Sequence, residues 1–255
     1  MPDQTTFDLT SRATATAPAT EERTDTSRSA AGSPPAALRR PSRALTFRRG
    51  FLVAAPVLAG VLATVGALAD PAAGISGDAM LQIYFDNPGR LQFKSLAYHW
   101  SYALWIVPAM LIVPLVRARG AWLATIAGFI GFVGVATMPG LLLADWFDSA
   151  IGAAHGLEGH HAVYAAMDQM WGIPVFTTPG IVALFLALPL AMLTLWRAQL
   201  APWWGLAAAV AAVASFMLSN ATWPGTVIAT LFLGVVSFTF AKATDPARHT
   251  DVATS

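Results

Sequence analysis

Long apolar runs separated by short polar segments make up most of the chain after residue 50. Six such runs span residues 51–69, 100–116, 122–143, 173–196, 203–219 and 225–241. Each is close to the roughly 17–25 residues that a helix needs to cross a hydrocarbon core about 30 Å thick. Because lipid offers the backbone no hydrogen-bond partner, runs of this length form helices and not strands. The pattern predicts an all-α, polytopic membrane protein with a bundle of six transmembrane helices.

Composition supports a lipid-facing surface. Of the 255 residues, 56% are hydrophobic and only 11% are charged, whereas a soluble domain carries about 25% charged residues. The formal net charge of +1 gives no field that would attract nucleic acid. We therefore expect the lipid bilayer as the main partner. The chain has no cysteine, which excludes disulfides, thiolate metal sites and a cysteine nucleophile.

The two ends of the chain differ from this central part. Residues 1–46 are rich in Thr, Ser, Ala, Pro and Arg and have no apolar period, so they cannot bury enough surface to offset the entropy of ordering. We predict a disordered basic N-terminal tail over residues 1–46, a transmembrane domain over 47–243 and a disordered C-terminal tail over 244–255.

The start of the first run has a second interpretation. Arg48 and Arg49 precede an apolar run that ends in Ala67-Leu68-Ala69, as in a twin-arginine signal with a cleavage site. The run of 19 residues is longer than the usual signal core of roughly 7–15, and five further runs follow. This favours a first transmembrane helix, and the orientation of the later helices is the same in both cases.

The distribution of basic residues predicts the orientation. If six helices alternate, the basic flanks of the runs fall on one side, and the positive-inside rule places that side in the cytoplasm. These flanks contain Arg39, Arg40, Arg43, Arg48, Arg49, Arg117, Arg119, Arg197, Lys242 and Arg248. We therefore expect a multi-pass protein of the cell membrane with both termini in the cytoplasm.

The first outer loop, residues 70–99, has a turn signal at its centre. Asn87-Pro88-Gly89 is flanked on both sides by apolar residues. This pattern predicts two short interfacial helices joined by a turn, or a re-entrant hairpin. Arg90 and Lys94 then either meet phosphate headgroups or pair with the acids of the second outer loop.

The second outer loop contains three of the five histidines within seven positions, His155, His160 and His161. A helix over 157–171 places Glu158, His161, Tyr164 and Asp168 on one polar arc, which is typical of an amphipathic helix in the interface. Gly156 and Gly159 weaken the beginning of this helix. We expect His155 and His160 on an irregular turn there.

The predicted topology places a dense group of ionisable side chains, from the second outer loop and the start of the second run, at the outer membrane level. The candidate site residues are His99, Asp145, Asp148, His155, Glu158, His160, His161 and Asp168. Glu158 and His161 have the i, i+3 spacing by which one helix offers two ligands to a metal, and catalytic zinc needs three protein ligands. A divalent metal is therefore one possible cofactor. Haem held by His99 and one histidine of the second loop is another. The alternative is a hydrated loop whose histidines and acids face water.

Three functions fit this pattern. The favoured hypothesis is a non-enzymatic integral membrane protein whose outer face binds a small molecule or a membrane-protein partner. The second is a metal-dependent enzyme that acts on an amphiphile at the outer interface, with Glu158 or Asp148 as general base. The third is a scaffold subunit of a transport or electron-transfer complex. No Walker loop, dinucleotide fingerprint or G-x-S-x-G sequence is present.

Reporter fusions test the topology. Fusions after Arg119, Arg197 and Lys242 should report a cytoplasmic location, because these residues belong to the basic flanks. Fusions near Asn87 and Gly156 should report the outside. A cytoplasmic signal at Gly156 would overturn the arrangement of six spans.

Overall fold

The computed structural model describes residues 43–117 and 119–245. In this part of the chain the secondary structure is helical. The elements are α1 (Arg43–Ala69), α2 (Asp78–Asp86), α3 (Pro88–Leu111), the 3-10 helix η1 (Val113–Leu115), α4 (Ala121–Met167), α5 (Gly172–Arg197), α6 (Trp203–Leu218) and α7 (Trp223–Ala243). Residues 1–42 and 246–255 lie outside the described residues, and with them most of the two predicted tails.

Five helices in the described part of the chain are long and apolar enough to cross a membrane: α1, α3 with η1, α4, α5 and α7. The sixth predicted span corresponds to α6, which has only 16 residues and is therefore about 24 Å long at 1.5 Å per residue. Large apolar side chains such as Phe129, Phe132 and Leu231 are exposed on the outside of the bundle. An apolar exterior around helices of this length is what a lipid environment requires. The protein is an all-α, membrane-embedded protein.

Basic residues that flank the predicted spans lie together at one end of the bundle. Arg48 and Arg49 of α1 line a cavity together with Arg117, which follows η1, and Thr244, which follows α7. Lys242 of α7 lines a second cavity with residues of the α5–α6 connection. The α6–α7 turn lies at the other end, because Asn220 lines a cavity with Asp70 and Lys94. Short as it is, α6 therefore runs from the basic end to the opposite end.

Small residues allow the helices to approach one another closely. The face of α1 that is buried contains Ala59, Gly60 and Ala63. A Cβ atom at Gly60 would lie 2.9 Å from Cα of Thr230 on α7. The hydroxyl of Ser101 on α3 donates to the carbonyl of Ala59 at 2.7 Å. Such small interfaces with interhelical hydrogen bonds are how helices associate in lipid, where apolar burial gives little driving force.

Three predicted elements have different bounds in the structure. The second short helix expected in the first loop is not separate, because α3 begins at Pro88 and runs without a break into the second span. The third span is also longer than its apolar run, because α4 continues to Met167. Helix α1 begins at Arg43 and so includes the last residues of the segment assigned to the tail.

The long α4 consists of two arms that join at Gly156. This residue has φ 63° and ψ −166°, which interrupts the helical path, and a positive φ suits glycine because it has no Cβ. The second arm, residues 157–167, folds back so that Tyr164 hydrogen-bonds to Asp148 of the first arm. The break at Gly156 therefore brings the histidine-rich segment against the end of the long apolar arm.

Candidate functional site

The ammonium group of Lys94 lies among polar groups from three other segments. Its Nζ is 3.4 Å from Oδ2 of Asp145 on α4 and 3.9 Å from Oδ2 of Asp70, which follows α1. It also donates a hydrogen bond of 3.0 Å to the phenol oxygen of Tyr84 on α2. The Lys94 side chain is only 11% exposed. Because a buried charge must be compensated, this lysine connects α3 to α2, α4 and the segment after α1.

The remaining bonds of this cluster hold its acceptors in place. Ser95 donates to Oδ2 of Asp145 at 2.5 Å, and the backbone N–H of Ala72 donates to Oδ1 of Asp70 at 3.0 Å. Burial raises the pKa of Tyr84 above its ordinary value of 10.0, although the hydrogen bond and the charge of Lys94 act in the opposite direction. The phenol therefore stays protonated at neutral pH and donates to Asp70 at 3.4 Å.

These groups border a polar cavity of about 530 Å³, which we call the lysine cavity. Its lining includes Asp70, Tyr84, Lys94, Tyr98, Tyr102 and Asp145, with Asn220 and Thr222 from the α6–α7 turn. A volume in the range of about 300–1,000 Å³ is typical of small-molecule sites.

The α6–α7 turn that closes one side of this cavity has an unusual backbone. Asn220 and Ala221 both have positive φ, 49° and 55°, a region that residues other than glycine occupy at a cost. The phenol of Tyr98 donates to the carbonyl of Ala221 at 3.0 Å and helps to hold the turn. The structure thus fixes an unfavourable backbone next to the cavity.

A second polar group lies next to the first, where the arms of α4 meet. Nε2 of His160 is 3.2 Å from Oδ1 of Asp148, and the Tyr164 hydroxyl donates to the same oxygen. The His160 ring stacks on Tyr164 with centroids 4.5 Å apart. We call Asp148, His160 and Tyr164 the histidine triad. Its His160 is 4% exposed, and Nδ1 of that ring is buried with no hydrogen-bond partner among the described residues.

Helix α2 explains why His160 is buried. Phe85 lies against the His160 ring with centroids 5.6 Å apart. It fits there because residue 152 is glycine: a Cβ atom at that position would lie 2.1 Å from the Phe85 ring. The adjacent residue of α2, Tyr84, contacts Lys94. Helix α2 therefore supports both polar groups through neighbouring side chains.

The structure separates the predicted site residues into different surroundings. Asp145 belongs to the lysine cavity, and Asp148 and His160 form the histidine triad. His161 pairs with Asp78 of α2 at 3.0 Å, with both side chains more than half exposed. His99 lines a small apolar cavity beside Trp100. The other three, His155, Glu158 and Asp168, are exposed.

Two details of the second loop differ from the expectation. The hypothesis of a hydrated loop is wrong for His160, which lies inside the protein because Phe85 covers it. The predicted polar arc is also divided, because Tyr164 turns toward Asp148 while Glu158 and His161 are exposed. Of the two alternatives given for Lys94, the structure shows pairing with an acid of the second loop, Asp145.

No three His, Asp or Glu side chains come together to hold a metal ion in the part of the chain that the structure describes. His160 and His161 each pair with a different aspartate, and their rings are 5.9 Å apart at a steep angle. His99 lines a different cavity from the histidine triad. The geometry therefore brings together neither the three ligands of a catalytic zinc site nor a facing pair of histidines for haem.

Sequence reasoning missed Asp70, Tyr84 and Ser95 as members of a site. Asp70 is the first residue after an apolar run, and Tyr84 lies among apolar residues just before the turn at Asn87. One available signal was Lys94 itself, which is the only charged residue between Arg90 and the end of α3. A single charge in an otherwise uncharged stretch of a helix needs a partner, and the acids of the flanking loops are the available ones.

Comparison with known proteins gives no match: no protein-family model, no curated protein and no solved structure is similar to this chain.

Replacing His160 tests the buried triad, with His155 as the matched control. His160→Ala should lower the free energy of unfolding by about 2 kcal/mol or more, because it removes a buried ring and leaves Asp148 with one bond fewer. His155→Ala should change it by less than about 0.5 kcal/mol, because that side chain is exposed. Unfolding in mixed micelles measures both. Equal effects of the two substitutions would contradict the burial of His160.

Proposed function

We propose that the protein is a multi-pass protein of the cell membrane that binds small, positively charged molecules in the lysine cavity at its outer face. In this proposal the bundle crosses the membrane six times, both termini are cytoplasmic, and binding involves no chemical reaction. This proposal keeps the small-molecule form of the favoured sequence hypothesis, and it adds the lysine cavity as the location and a cation as the ligand class.

The charge balance of the cavity is the observation that carries this proposal. Lys94 lies within 4 Å of two carboxylates, those of Asp70 and Asp145. In their ordinary ionised forms the three groups sum to one negative charge. Tyr84 adds none, because a phenol is protonated at neutral pH and burial raises its pKa further. A ligand with one positive charge would neutralise the cavity, whereas an anion would meet a net negative charge in a partly buried space.

The walls of the cavity favour the same ligand class. Tyr98 and Tyr102 contribute aromatic rings to the lining, and a cation over such a ring is stabilised by roughly 0.5–2 kcal/mol. Lys94 already lies over the ring of Tyr84, 4.4 Å from its centroid. An organic ammonium group with an apolar body combines both kinds of contact.

The proposed orientation follows from the separation of charge along the bundle. Arg48, Arg49 and Arg117 lie together at one end, and the lysine cavity lies at the end where α6 joins α7. With the basic end in the cytoplasm, as the positive-inside rule favours, the lysine cavity opens outward. It would then take its ligand from outside the cell.

Binding of paired probes tests the ligand class. Tyramine and 4-hydroxyphenylacetate share a phenol ring and differ in the sign of their charge. Tyramine at about 100 times its Kd should stabilise the purified protein by about 2.7 kcal/mol, a rise in Tm of roughly 5 °C for a chain of this size. 4-Hydroxyphenylacetate should give no rise. Equal shifts with the two probes, or none with tyramine, would contradict the proposal.

A pair of aspartate substitutions locates the effect. Asp70→Asn removes one negative charge from the cavity and should abolish the tyramine shift. Asp86→Asn is the matched control, because Asp86 is an exposed residue of α2 that is not part of the lining. A loss of the shift in both variants would place tyramine elsewhere.

A further inference from the structure

A second cavity of about 510 Å³ lies between the two arms of α4 and the first turns of α5. In contrast to the lysine cavity its lining is mostly apolar, with Phe147 and Ile151 from the first arm, Val163 and Met167 from the second, and Ile173 and Phe176 from α5. We call it the apolar cavity. It exists because the break at Gly156 turns the second arm back toward the first.

The rim of this cavity faces the lipid side of the bundle. Phe147 is 63% exposed and Phe176 is 49% exposed, although both line the cavity. Trp171 and Val175, beside the lining residues of α5, are also exposed. Exposed apolar side chains around a recess at a helix end are suited to contact with the hydrocarbon of the bilayer. An alkyl chain can therefore enter this cavity from the membrane.

One end of the apolar cavity is polar. Asp148 and Tyr164 of the histidine triad belong to its lining. Both bonds that the triad makes to Asp148, from His160 and from Tyr164, end on Oδ1. The second oxygen, Oδ2, has no hydrogen-bond partner among the described residues and can accept a donor from a ligand.

The charge of the lining selects the headgroup. Asp148 is the only ionisable acid or base, tyrosine apart, among the described residues that line the apolar cavity. A carboxylate with a free acceptor oxygen attracts a cationic donor and repels a carboxylate or a phosphate. We propose that the apolar cavity binds a single-chain amphiphile with an amine headgroup, with its chain between the arms of α4 and its ammonium on Oδ2 of Asp148. This site shares no lining residue with the lysine cavity among the described residues.

Photo-crosslinking tests the site with a matched pair of probes. Oleylamine and oleate that carry a diazirine in the chain are added to the full-length protein in phosphatidylcholine nanodiscs, and the labelled peptides are identified by mass spectrometry. Oleylamine should label the peptides that contain residues 140–177 at least fivefold more than oleate does. Equal labelling by the two probes, or labelling spread evenly over all lipid-facing helices, would overturn the proposal.

One variant and one matched control locate the chain. Val163→Trp fills the apolar cavity and should lower oleylamine labelling of residues 140–177 at least fivefold. Val175→Trp adds the same side chain at an exposed position outside the lining and should leave labelling unchanged. Unchanged labelling in Val163→Trp would show that the chain does not enter the cavity.

Asp148→Asn tests the headgroup. Because it keeps the shape of the side chain, it also tests the site if the Val163→Trp variant misfolds. The oxygen that accepts from Tyr164 is retained, and an amide NH₂ replaces Oδ2. Labelling by oleylamine should fall at least fivefold, and labelling by oleate should rise. Undiminished oleylamine labelling in this variant would overturn the assignment of the amine headgroup to Asp148.

Discussion

Lys94 brings a positive charge into a partly buried space where Asp70, Asp145 and Tyr84 surround it. Each partner comes from a different segment, so the position of the lysine fixes how the segment after α1, α2 and α4 meet at this end of α3. Without the lysine, two carboxylates would face each other in a medium that solvates charge poorly. With it, they are held apart around a polar cavity, and one negative charge remains for a ligand.

Helix α2 extends this constraint to the rest of the polar end, by which we mean the end of the bundle that contains the lysine cavity and the histidine triad. Its neighbouring residues Tyr84 and Phe85 are both buried, and they face different groups. Tyr84 accepts the hydrogen bond from Lys94, whereas Phe85 covers His160 and lies against Gly152. A shift of α2 would therefore disturb the lysine cavity and the histidine triad together. The lysine cavity and the apolar cavity differ in chemistry. Three charged side chains line the lysine cavity, whereas Asp148 is the only one among the described residues that line the apolar cavity.

The sequence was sufficient for the class of fold and for the approximate bounds of α5, α6 and α7. Apolar runs of span length leave the backbone no alternative to helix in lipid, and α5 at Gly172–Arg197 agrees closely with the run 173–196. It was also sufficient to place Asp145, Asp148 and His160 in the polar end. It did not divide them correctly, because the division depends on tertiary contacts. Phe85 contacts His160 because Gly152 has no side chain to block it and because the break at Gly156 turns the second arm back toward the first. Neither contact has a periodic signal in the chain.

A double-mutant cycle between Lys94 and Asp145 tests most directly whether the lysine organises the polar end. Lys94→Met alone should lower the free energy of unfolding by about 3 kcal/mol, because it leaves buried carboxylates uncompensated. Adding Asp145→Asn should restore part of this loss, with a coupling energy of about 1.5 kcal/mol or more. The same cycle with the exposed Asp86 should give a coupling within about 0.5 kcal/mol of zero. Additive effects of Lys94→Met and Asp145→Asn would contradict the account.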